Sequence, residues 1–97
     1  MLLGTLTKQP GEVLDYDIDY SEWLTSDDNV ASATTAVTPS ADDDDLAIEL
    51  ININDPRVKL WISGGVSGTT YKVTVTMETQ DGRIKEDEFR MRVKEIV

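Results

Sequence analysis

Carboxylates are the only reactive side chains that this sequence supplies in clusters. Asp15, Asp17 and Asp19 alternate with Tyr16 and Ile18, and Asp42, Asp43, Asp44 and Asp45 stand in an unbroken run. Oxygen ligands in such numbers suit a hard cation such as Ca²⁺, and two well-held carboxylates can act as acid and nucleophile in glycoside hydrolysis. The first cluster does not fit a calcium loop. Its sixth position, which needs glycine, is Tyr20, and no glutamate stands at the twelfth. Read as a strand, the same spacing lines three acids along one solvated face. The run Asp42, Asp43, Asp44, Asp45 is the remaining metal candidate, with Asp27 and Asp28 able to approach from another loop. Adjacent like charges disfavour pleated structure, so residues 38–46 are expected to form a solvated acidic loop.

Other chemistry is removed by absence. The chain has neither histidine nor cysteine, which excludes Ser-His-Asp and Cys-His engines, thiolate metal sites and the usual imidazole base. Gly64-Gly65-Val66-Ser67-Gly68 joins strand to strand, whereas a phosphate cradle needs a helix N-terminus behind it. No substrate-sized cleft is framed by the carboxylates, so no catalytic residue and no cofactor is expected. With 19 acidic against 9 basic residues the net charge is −10, which repels nucleic acid and anionic lipid alike. No run approaches the roughly 18 apolar residues of a membrane span, and Met1-Leu2-Leu3-Gly4 does not read as a signal peptide. The expectation is a chain made in the cytoplasm that stays there or leaves within an assembly. Its late cations, Arg83, Lys85, Arg90, Arg92 and Lys94, set against acids crowded into the first half, suit docking onto another protein.

The elements that would hold these residues follow from apolar spacing. Ninety-seven residues make one domain, 1–97. Tyr71, Val73, Val75 and Met77 alternate with Lys72, Thr74 and Thr76, the period of a half-buried strand. Leu14, Tyr16, Ile18 and Tyr20 alternate with the three acids in the same way. Val30 to Val37 reads as a light strand and Val58 to Ser63 as another. Leu46 to Ile53 switches parity, which a bulge near Leu50-Ile51 or an edge against a partner would resolve. Asp81-Gly82 marks a hairpin. A strict two-residue turn would set Val75 against Glu88, so one inserted residue, as a bulge or longer loop between Arg83 and Glu88, is expected to bring Val75 opposite Phe89 and Val73 opposite Met91. Residues 1–9 form either an arm or a strand. Trp23 and Leu24 should plug one end of the core, and the Tyr71 phenol should pin the glycine-rich loop through a backbone hydrogen bond. Trp61 either points outward with Lys59 as a binding anchor or joins the core. Together these predict an all-β sandwich of about seven antiparallel strands.

Lys8 to Asp19, Ser21-Glu22-Trp23-Leu24, Trp61 to Gly65, Gly68 to Val75, Asp81-Gly82-Arg83 and Phe89 to Val93, taken together, resemble a family of small proteins from tailed bacteriophages and prophages, the fiber-tail adaptors. The resemblance implies an Ig-like or fibronectin-like sandwich in the virion, near the junction of tail or neck with fibers, without reactive residues. It implies other phage structural proteins of tail, neck and fiber as partners and multiple copies in a symmetric assembly. The side chains expected to meet those partners are Trp61, Lys59, Trp23, Arg90 and Arg92. Two other readings stay open: a free-standing recognition module of the same fold binding a glycan or Ca²⁺, and a capsid decoration protein.

Overall fold

The runs with a period of two become strands whose apolar sides meet across two sheets. The structure is a computed structural model that describes residues 2–25, 27–41 and 43–95. Its strands are β1 (Leu2–Lys8), β2 (Leu14–Asp19), β3 (Val30–Thr38), β4 (Ala47–Asn54), β5 (Arg57–Ser63), β6 (Thr70–Thr79) and β7 (Ile84–Val93). One sheet has the order β1-β7-β6-β3 and the other β2-β5-β4. Val58, Leu60 and Ile62 of β5 face Tyr71, Val73, Val75 and Met77 of β6 and Phe89, Met91 and Val93 of β7, none of them more than 3% exposed. Each such side chain contributes about 1.5–3 kcal/mol by leaving water, and the alternation leaves every second residue outside.

The bulge expected in the fourth strand is present, between Ile48 and Leu50. It restores one parity: Ile48, Ile51 and Ile53 pair with Ile62, Leu60 and Val58, and Leu50, Asn52 and Asn54 turn outward beside Trp61, Lys59 and Arg57.

The last hairpin overturns an expectation. Val75 lies opposite Asp87 and Val73 opposite Phe89, in an unbroken ladder from Thr70↔Arg92 to Glu78↔Ile84. No bulge separates Arg83 from Glu88. The turn is longer than two residues instead: Thr79 N–H donates to Arg83 O at 2.8 Å and Gly82 N–H to Thr79 O at 3.0 Å, enclosing Gln80, Asp81 and Gly82. Gly82 supplies the positive φ of 90° that such a turn requires. This register sets an acid against the core, Asp87 at 1% exposure. It is tolerated because Lys85, two residues earlier on the same side, places its ammonium 3.0 Å from the Asp87 carboxylate. The Tyr20 hydroxyl is buried nearby, and burial followed by the Asp87 charge pushes its pKa up to about 12.

The strands are also not all antiparallel. Residues 2–8 form a strand that pairs in parallel with β7, Leu6 beside Met91 and Lys8 beside Val93. The first strand's neighbour is the last one, so no hairpin dictates its direction. It must instead hand the chain to β2 in the other sheet, where Leu14 pairs with Ile62. That handover lies at the end where β7 finishes. The Lys8 ammonium is buried there and donates to Gln9 O at 2.7 Å and Gly64 O at 2.6 Å; burial lowers its pKa, with the Glu12 carboxylate opposing.

The same end is closed by Tyr71, as expected. Its hydroxyl accepts the Val66 N–H at 2.9 Å and donates to Asp45 at 2.7 Å. Asp44 O accepts the Gly65 N–H at 2.9 Å. A Cβ at Gly65, where φ is 105°, would lie 2.5 Å from a Val93 methyl, so only glycine passes between the acidic loop and the core. Tyr71→Phe strands the Val66 amide and is expected to cost about 1–2 kcal/mol. Urea denaturation should show a lower midpoint with an unchanged slope; an unshifted midpoint would show that the phenol does not close the loop.

Candidate partner-binding faces

Surfaces available to a partner follow from strand parity. On the three-stranded sheet the outer face carries Asp15, Asp17 and Asp19 from β2, Arg57, Lys59 and Trp61 from β5, and Leu50, Asn52 and Asn54 from β4. Trp61 points outward, as one of its two readings required, and lies half-buried between Asp15 and the 53% exposed Leu50. Lys59 is half-buried and sits 3.4 Å from Asp15, and Arg57 sits 3.8 Å from Asp19. The Asp19 carboxyl is lowered first by hydrogen bonding from Ser21 and then by Arg57. The face is therefore an apolar pair beside a row of alternating charges. Leu50 escapes parity counting because the bulge alone turns it outward.

The outer face of the four-stranded sheet is different. Threonines dominate it: Thr5 and Thr7 of β1, Thr70, Thr74 and Thr76 of β6, Thr34 and Thr38 of β3. Among them Arg90 stands directly across from Lys72 and Thr5, and Arg92 from Thr70 and Thr7. All three cations are exposed. Lys72 completes the group, and its partnership with Arg90 depends on the register that the sequence did not give. Glu88 follows next to Arg90 on the same face, with Glu86 and Glu78 beyond it toward the turn.

Trp23 lies at the opposite end of the molecule from Tyr71, half-buried against the core. The Arg83 guanidinium covers its ring at 4.4 Å from the centroid and the Lys85 ammonium stands at 5.4 Å. Arg83 also donates through Nε and Nη2 to Asp28 Oδ2 at 3.1 and 2.9 Å. The other Asp28 oxygen accepts the Asn29 and Asp81 amides. Burial by itself would raise the Asp28 carboxyl, but Arg83, Thr79 and these amides outweigh it and hold it below its ordinary value.

Asp28 is thus committed to the β6–β7 turn, whereas Asp45 closes the Tyr71 end. Tyr71 and Thr79 are separated by the length of β6, roughly 27 Å at about 3.4 Å per residue. Asp27 and Asp28 therefore cannot join the acidic run around one ion. Asp43 and Asp44 are exposed, Asp45 is half-buried, and Asp42 lies outside the described residues. Among the described residues no three acidic side chains gather as a metal site. An apolar cleft of about 340 Å³ opens between β1 and β2, lined by Leu3, Leu6, Tyr16, Ile18 and Phe89 with Asp17 at its rim.

A family model described as podophage GP4 fiber-tail adaptor protein gp77 matches residues 8–92 of this chain. No curated protein gives a significant match.

The Asp28 site makes a prediction for pH. A carboxyl held low in the fold contributes stability that is fully present above its ordinary value of 3.8 and is lost as pH falls through the lower folded value. Melting temperature measured against pH should fall more steeply below about pH 4 for the native chain than for Asp28→Asn, which also melts lower at neutral pH. Parallel acid limbs for the two proteins would remove Asp28 as the group responsible.

Proposed function

The chain belongs to the podophage GP4 fiber-tail adaptor family, matched over residues 8–92, and on that premise we propose that it joins tail or neck to fibers in the virion by protein–protein contact alone, without catalysis or cofactor. The family match is the observation that carries this reading. The two sheet faces support it with physical means. Trp61 and Leu50 offer an apolar anchor of the kind that concentrates binding energy, and the ion pairs around them orient a partner at little energetic cost. Arg90 and Arg92 offer a second, chemically different contact on the opposite face, so one domain can hold two neighbours at a fixed separation. Trp23, gripped by Arg83 and Lys85, presents a rigid surface at one end. The sandwich is an Ig-like spacer in this reading, made in the host cytoplasm and built into the particle in several copies. Repeated weak contacts around a symmetric tail raise one another's effective concentration, so none has to be strong.

Trp61→Ala tests the anchor. Its side chain is outside the core, so stability should fall by about 1 kcal/mol or less, while the amount of this protein in purified particles drops severalfold. A normal amount in particles would remove Trp61 from the joint, and absence of the native chain from particles would end the adaptor reading.

A further inference from the structure

The nine cations of this chain divide into two groups. Arg57, Lys59, Arg83 and Lys85 pair with Asp19, Asp15, Asp28 and Asp87, and the Lys8 ammonium is buried against backbone carbonyls. The remaining four are Lys72, Arg90, Arg92 and Lys94. They are exposed and form no ion pair among the described residues. These four do not scatter. Arg90, Arg92 and Lys94 follow one another at every second position along and just past β7, and Lys72 stands across from Arg90. In a protein of net charge −10, every cation that is neither buried nor paired with an acid among the described residues lies in one patch.

We infer that this patch, Lys72, Arg90, Arg92 and Lys94 with the flanking Thr5, Thr7 and Thr70, docks a carboxylate-bearing surface of one of the two proteins that the adaptor joins. Guanidinium groups take carboxylates two bonds at a time, and flanking hydroxyls donate further hydrogen bonds to them. Two such patches facing one another repel, so the patch does not pair with itself across a two-fold axis. Extended polyanions are disfavoured by the same field. A nucleic acid spans beyond four cations and meets the surrounding negative charge, whereas a local acidic patch on a folded protein does not. The inference rests on the adaptor reading and adds the chemistry of one joint.

The test compares particles assembled with native adaptor, with Arg90→Glu/Arg92→Glu, with Arg90→Lys/Arg92→Lys and with Thr34→Glu, a charge added to the same face away from the patch. All four should melt alike, because these side chains are exposed. The expected result is a loss of adaptor or fiber from purified particles of at least tenfold for the glutamate pair, a smaller loss for the lysine pair, which keeps the charge and gives up the two-bond geometry, and particles close to native for Thr34→Glu. Normal particles from the glutamate pair overturn the inference and leave the adaptor reading intact. Absence of the native protein from particles overturns the adaptor reading, and a titration of the purified chain then decides the patch. A hexaglutamate peptide should shift the amide resonances of Lys72, Arg90 and Arg92, and the glutamate pair should abolish that shift. Shifts produced by duplex DNA and not by the peptide would make the patch a phosphate site and overturn the inference.

Discussion

The three-residue turn Gln80–Gly82 sets the register of β6 against β7, and both the core and the four-stranded face depend on it. A slip by one residue in either strand would change which side chains meet across the pair. Tyr71 would lose Met91, Val73 would lose Phe89, and Lys72 would no longer stand across from Arg90. The turn is held by more than its own glycine. Asp28 reaches the Asp81 amide and the Arg83 side chain from a loop some fifty residues away in sequence, and the Gln80 amide donates to Asn29 O. The hairpin that carries the cations is therefore locked by an acid from the loop between the two sheets.

Charge inside this fold works at the ends and not in the middle. Lys8 is held by backbone carbonyls at the end where the glycine-rich loop crosses the sandwich, and Asp28 and Asp87 are held by cations at the other. Each buried ion would be costly alone and is tolerated because its partners are fixed by strand register. Between them the core is apolar. A domain of this size has a thin core, and its loops would be the first parts to open. Locking the loops with ions and with the Tyr71 phenol keeps the outer faces at a constant separation, as the proposed spacer role would require.

Most strands were legible because their apolar residues keep a period of two: β2 through Leu14, Tyr16 and Ile18, β6 through Tyr71 to Met77. The Ile48–Leu50 bulge was legible for the same reason, as a parity that fails and then recovers. The register of the last hairpin was not. The assumption that an acid does not face the core excluded Asp87, although Lys85, two residues earlier, shares its side of the strand and neutralises it. The direction of β1 was equally hidden, because it depends on where the chain must pass to the second sheet. Parity left Trp61 and Lys59 open between the outer face and the core, and they lie on the outer face beside β2 and β4. The Lys72–Arg90 pairing and the Arg83 cover over Trp23 arise from contacts between distant segments, and spacing along the chain carries no trace of them.

The two faces differ in the kind of contact they can make. Trp61 and Leu50 bring two apolar side chains with Lys59 and Asp15 beside them already paired, so binding there would draw mainly on desolvation and depend little on salt. The threonine-rich face brings unpaired cations and little apolar bulk, so binding there would draw on charge, form quickly and weaken as salt screens it. A joint made of one contact of each kind is directional: neither neighbour can take the other's place, because an acidic surface gains nothing from Trp61 and an apolar one gains little from Arg90. In the proposed joint, specificity of order along a tail would follow from chemistry divided between the two sheets, without any moving part.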